Sequence, residues 1–184
     1  MSETREIIIQ LGDKLLRKKG YNAFSYADIS KELGIKNAAI HYHFPTKPDL
    51  IMAIINLHNE RLQNFKKDIS RKSSLEKISK FLDTYSKIQT EEKICIVGAL
   101  ATDWDTIDKH SQKHLQEVAD DILQWLTAVL NEGLKNKELN FTETPKTKAL
   151  LIISNMLAAT QLARVIGDKN FNTIRSAILS GLKP

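Results

Sequence analysis

Apolar residues recur every three or four positions along most of the chain, broken at a few glycines, prolines and capping residues. That spacing gathers them on one face of a helix, whereas a half-buried strand needs strict alternation. Ile8, Leu11 and Leu15 give a first helix over residues 3–19, ended by Gly20. Ser25 with Asp28 is a capping pair for a second helix, whose buried stripe is Ile29 and Leu33. Gly34 then adopts left-handed backbone and reverses the chain. A third helix, Lys36 to Phe44, turns Ile40 and Phe44 inward and stops at Pro45. Thr46 and Asp49 cap a long helix over 47–70, with Pro48 in its first turn.

The same period predicts helices over 75–89, Ile94 to Ala101, 109–136, Pro145 to Ile166 and Phe171 to Leu182. Ile94 to Ala101 is apolar on every face and therefore central. Lys135 to Glu143 is a polar loop, and Thr144 with Pro145 caps the helix that follows. No run reads as a strand. The expected fold is all-α.

Two short helices joined by a glycine turn describe a helix-turn-helix, whose second helix enters the DNA major groove. The residues left exposed on that helix suit the role. Lys36 and Asn37 stand at its N-terminal end, and Ala38 and Ala39 let the backbone come close. His41, Tyr42 and His43 offer donors and flat rings to bases or phosphates. The rival reading is an ordinary helical hairpin of a bundle.

The stretch from Ser25 to Ile51 resembles the DNA-binding domain of the TetR family of bacterial transcriptional regulators. The likeness rests on DIS-KELGI, on NAAIHYHFPTK and on their place after one N-terminal helix, over about the first 50 residues. The resemblance implies that Asn37, Ala38 and His41 read bases, while Ser25, Tyr26, Tyr42, His43 and Lys47 hold phosphates. The family usually has Tyr where this chain has His41, and an aromatic residue or His where it has Tyr42.

The expected organisation is a helix-turn-helix domain over residues 1–48, then a helical effector-binding and dimerisation domain over 49–184. Short connections between long amphipathic helices favour antiparallel packing in a bundle. The last two helices carry surplus apolar residues, among them Ile153, Leu157, Ile174 and Ile178, with Gln161 between. In TetR-like proteins the last two helices form a four-helix interface with a second copy, so a homodimer is expected here. A two-fold pair of recognition helices then reads a palindrome.

Composition narrows the picture a little. A net charge of +5 over 184 residues permits an anionic partner without demanding one. The first fifty residues hold eight Lys/Arg against six Asp/Glu, so charge alone does not mark the DNA surface. One cysteine excludes an internal disulfide, and there is no CxxC motif. Residues Ala149 to Ile166 are apolar but broken by Ser154, Asn155, Gln161 and Arg164, which suits an interface helix better than a membrane span. A cytoplasmic location is expected, with no membrane contact.

His110 and His114 have the spacing of two metal ligands on a helix, but no glutamate completes HExxH, and their lysine neighbours suggest a solvated face. No metal or cofactor is expected. GxSxG, Walker A and GxGxxG motifs are absent, and nothing points to an enzyme. Phe81, Tyr85, Cys95, Trp104, Trp125 and Met156 are placed near an internal cavity for an apolar or aromatic effector, with Gln161, Asn155 or Asp103 as polar handles. Ordinary core packing explains each of them equally well. The reading is a ligand-responsive repressor that binds a palindromic operator as a homodimer and is released by a small molecule. The alternative is a helical small-molecule carrier without regulatory DNA binding.

Overall fold

The computed structural model describes residues 2–91, 93–167 and 169–184. Its helices are α1 (Glu3–Lys19), α2 (Tyr26–Leu33), α3 (Asn37–His43), α4 (Lys47–Asp68), α5 (Ser74–Thr90), α6 (Ile96–Ala101), α7 (Lys109–Lys135), α8 (Pro145–Ile166) and α9 (Lys169–Ser180), with a 3-10 turn at Trp104–Thr106. Among the described residues there is no strand. The all-α expectation holds.

The chain forms two compact units, Met1–Leu62 with Ile96–Val118, and Gln63–Cys95 with Ala119–Pro184. It passes from one to the other after Leu62 in α4, before Ile96, and after Val118 in α7. The first unit thus contains, besides the four N-terminal helices, the segment that runs through α6 into α7.

In the first unit α1, α2, α3 and the first half of α4 close around Ile8, Leu16, Ile29, Ile40, Phe44, Leu50, Ile51 and Ile54, all buried. Each such side chain contributes about 1.5–3 kcal/mol by leaving water. One charged cluster lies inside this apolar shell. Asp13 and Arg17 are buried on α1, and Asp13 accepts from His58 of α4 at 2.6 Å. In the second unit α5 packs against α8 and α9, and those two pack on each other. Arg175 of α9 bridges to Asp83 of α5, and Lys77 pairs with Glu132 at 3.0 Å.

Two sequence expectations change. Ile94 and Cys95 precede α6, which begins at Ile96 and has only one and a half turns; Val97 and Gly98 are half-exposed. The run is nonetheless central, with Ile94, Cys95, Ile96, Ala99 and Leu100 all buried; only its first two residues lie outside the helix. The last helix begins at Lys169, earlier than Phe171, and stops at Ser180. Phe171 is buried in its first turn, so the apolar residue anchors the helix without starting it.

Candidate nucleic-acid interface

The reading helix α3 is short, and its neighbours fix it. Asp28 accepts both the backbone N–H of Ser25 (2.8 Å) and the Ser25 hydroxyl (2.7 Å), closing the N-terminus of α2. These bonds hold the Asp28 carboxyl below its usual pKa. Gly34 has φ +67°, a conformation other residues rarely take, and its N–H returns to the Ser30 carbonyl. Ser30 Oγ then donates to Ile35 (2.6 Å), so the turn between α2 and α3 is bonded at both ends. Thr46 and Asp49 repeat the Ser25–Asp28 arrangement at the start of α4, with both Thr46 bonds to Asp49 at 2.7–2.8 Å.

Ile40 and Phe44 point into the core, which leaves the opposite face of α3 outward. Lys36, Asn37, Ala38, His41 and Tyr42 are exposed, Tyr42 by 84 %. His43 is half-buried and meets the Tyr42 ring edge-on at 5.1 Å. His41 donates from Nδ1 to the Pro45 carbonyl (3.1 Å), because a carbonyl can only accept. That bond leaves Nε2 as the other polar atom of this exposed ring. Among the described residues, no hydrogen bond within the protein occupies the side chains of Lys36, Asn37 or Tyr42.

Three other residues of the sequence-derived set have their donors engaged inside the protein. The Ser25 hydroxyl is spent on Asp28. The Tyr26 hydroxyl lies 2.9 Å from the Phe44 carbonyl and 2.5 Å from that of Thr46, tying α2 to the turn between α3 and α4. Burial, then Asp49 and Tyr21, push this phenol well above its ordinary pKa, so it stays a donor. Lys47 turns its ammonium onto the carbonyls of Tyr21 and Phe24 and lies over both rings, at 4.4 and 4.2 Å. Burial lowers the Lys47 pKa, and the charges of Asp103 and Asp28 oppose that. These side chains brace the reading helix where they stand.

In the second unit the aromatic residues of the expected effector cavity partly converge. The Trp125 ring lies 5.6 Å from Phe81 and 5.7 Å from Phe65, and Phe81 lies 5.4 Å from Tyr85. Burial raises the Tyr85 phenol far above its usual pKa. Met156 is fully buried and Cys95 is buried. Trp104 belongs to the first unit, Gln161 is exposed, and Asp103 is bonded to Tyr21 and Asn22. A cleft of about 600 Å³ lies elsewhere in this unit, between α7 and the start of α8, with Leu123, Thr127 and Pro145 in its wall.

Among the described residues, most of the large exposed apolar side chains lie on α8. This helix is long and apolar enough to cross a membrane by composition alone, with a mean hydropathy of 1.6 over its most apolar window. Ala149, Ile152, Met156 and Ala159 face inward, while Leu150, Leu151, Leu162, Val165 and Ile166 are exposed, Val165 by 82 %. Ile153, Leu157, Ile174 and Ile178, chosen from the sequence, are half-buried along its border. Periodicity marks a helix as apolar on two sides but does not say which side its own bundle covers.

A short helix-turn-helix whose outer face keeps Lys36, Asn37 and Tyr42 unbonded, joined to a second helical unit, defines a helical DNA-reading class of protein. Residues 8–54 match the family described as bacterial regulatory proteins, tetR family, and residues 74–177 match the tetracyclin repressor-like C-terminal domain. The chain belongs to the tetR family of bacterial regulatory proteins. It is 34 % identical to a TetR transcriptional regulator from Legionella pneumophila, covering 100 % of this chain and 99 % of that one with a TM-score of 0.88. A TetR-family regulator from Agrobacterium tumefaciens superposes with a TM-score of 0.92 at 26 % identity, covering 98 % and 97 %. The biofilm operon icaADBC negative transcriptional regulator IcaR of Staphylococcus epidermidis is 24 % identical over 115 residues, 62 % of each chain. Matches to curated relatives span between 21 % and 65 % of those relatives' length.

Proposed function

We propose that this chain is a cytoplasmic, ligand-responsive transcriptional repressor that binds a palindromic operator as a homodimer. The observation that carries the reading is the divided face of α3. Its inner side is locked in the core, and its outer side offers Lys36, Asn37, Ala38, His41 and Tyr42 with Lys36, Asn37 and Tyr42 unbonded. Asn37 presents a bidentate amide suited to adenine, and Lys36 a charge suited to phosphate or guanine. Nε2 of a neutral His41 suits an amino donor such as that of cytosine or adenine. Tyr42 and His43 lie toward the backbone at the other end of the helix. Ser25, Tyr26 and Lys47 act through the brace, and their exposed edges border the phosphates.

The exposed strip of α8 supports a second copy as its cover, with Ile153, Leu157, Gln161, Ile174 and Ile178 at its edge. The aromatic group of Phe81, Tyr85 and Trp125, with Cys95 and Met156, supports an apolar or aromatic effector in the second unit. Trp104 lies outside that group. The direction of control follows the relative named a negative regulator. The DNA-reading domain is residues 1–48, and the remainder serves effector and partner. An effector releases DNA only through a difference in affinity between two arrangements of the chain.

The deciding experiment is selection of bound sequences from a random duplex library at two salt concentrations. A palindrome should be enriched, with affinity falling steeply as salt rises. Salt-sensitive binding without enrichment, or no binding, would remove the regulatory reading and leave a ligand-binding bundle.

A further inference from the structure

The turn between α1 and α2 is held from two sides by residues far from it in sequence. Asp103, just before the 3-10 turn, accepts the Tyr21 N–H at Oδ2 (2.7 Å) and the Asn22 side-chain amide at Oδ1 (2.9 Å). The same amide reaches Thr106 Oγ1 at 3.0 Å. From the other side Lys47 takes the carbonyls of Tyr21 and Phe24. The turn also leaves room for the carboxylate. Gly20 has φ +97°, and a Cβ there would stand 3.1 Å from Asp103 Oδ2. The six residues that join α1 to α2 are thus tied to a carboxylate 82 positions from Tyr21.

We infer that Asp103 is a positioning residue for DNA reading, latching the α1–α2 turn to the segment Ile96–Val118 and thereby setting α2 and α3. This rests on the DNA-binding reading above. The bonds form a continuous series. Asp103 holds Tyr21 and Asn22, the turn leads directly into Ser25 and α2, and Tyr26 of α2 holds the carbonyls of Phe44 and Thr46 behind the reading helix. The latch segment is itself anchored. Gln112 of α7 donates to the Trp104 carbonyl at 2.7 Å, and Asp108 accepts the N–H groups of His110 and Ser111 at 3.0 Å. The chain enters this segment from the second unit before Ile96 and returns to it after Val118. A change drawn on either end therefore reaches α3 through Asp103 without travelling along α4. The latched turn is the DNA-competent state, and its release is the step an effector favours.

The test is amide hydrogen exchange at Tyr21 in the full chain, free, with the selected palindrome, and with a random duplex of equal length. In the wild-type protein the palindrome should slow Tyr21 exchange about tenfold while the random duplex does not. Asp103→Asn, with one acceptor oxygen in place of two and no charge, should lose that slowing and bind the palindrome about tenfold more weakly. Reciprocity requires the two factors to agree. Its helix content and random-duplex affinity should be unchanged. Asn22→Ala, which removes one arm of the latch, should give an intermediate loss. Equal Tyr21 exchange with and without the palindrome would overturn the latch, as would loss of melting temperature and of both affinities together, the mark of a purely structural bond. If the wild-type chain enriches no sequence, the proposed function fails and takes the latch with it. Enrichment with unaltered exchange removes the latch alone.

Discussion

Tyr26 and His41 meet edge to face, their ring centroids 4.8 Å apart, and both hold the chain where α3 gives way to α4. Tyr26 takes the carbonyls of Phe44 and Thr46, and His41 takes that of Pro45 between them. The Phe44 and Pro45 carbonyls thus meet side-chain donors, as does that of Thr46, which also accepts the Leu50 N–H at 3.4 Å; these ties keep a helix as short as α3 in one orientation. Tyr26→Phe keeps the ring and removes the donor. It should cost about 1 kcal/mol in denaturant unfolding and weaken palindrome binding, with the salt slope unchanged. Weakened binding with unfolding stability unchanged would make Tyr26 a phosphate contact and not a brace.

Lys36 and Asn37 are adjacent, exposed and differently equipped, so their loss should separate two kinds of recognition. Asn37→Ala should relax preference at one base position at a cost of about 1–3 kcal/mol there, leaving random DNA affinity alone. Lys36→Ala should reduce the salt slope by about one and weaken all duplexes alike. Fluorescence anisotropy with single-base variants of the palindrome measures both. Equal losses on specific and random DNA from both substitutions would contradict these roles.

Asp13 is a buried carboxylate whose environment works in opposite directions. Burial acts to raise its pKa, but the hydrogen bond from His58 and the charges of His58, Arg17 and Arg61 outweigh this and hold it below the usual value. A depressed folded pKa contributes stability that is complete above the unfolded value, about 3.9, and is lost as pH falls through the folded one. Melting temperature should therefore drop steeply below about pH 4. Asp13→Asn should flatten that acid limb and cost about 3 kcal/mol at neutral pH, because buried Arg17 loses a charged partner. An unchanged acid limb would show that Asp13 is not its source.

Val165 is almost fully exposed beside Leu162 and Ile166 on α8. In an isolated chain Val165→Asp costs little, whereas beneath a second copy it buries an unpaired charge. The variant should weaken self-association by about a hundredfold or more in sedimentation analysis, with helix content unchanged. A wild-type chain that sediments as a monomer at tens of micromolar would remove the dimer, and a variant that associates as well as wild type would move its contact off this strip.

The sequence by itself determined the class of fold, most helix boundaries and the helix-turn-helix pair. Those features are decided within one or two helical turns. Spacing sets the buried face, Ser25 with Asp28 and Thr46 with Asp49 close their helices locally, and only glycine sits easily at the φ of residue 34. The tertiary structure decided which polar groups remain free to act. Tyr26 and Lys47 are donors by residue type alone, but the fold places acceptors for them within hydrogen-bond reach. Asp103 looks like a cavity residue beside Trp104 until the fold brings Tyr21 to it. Likewise, repeated apolar spacing shows that α8 has two greasy sides, and only packing against α5 and α9 shows which side is left open. A hydrogen bond or a buried face belongs to whichever partner comes within a few ångströms, and distance along the chain carries no information about that.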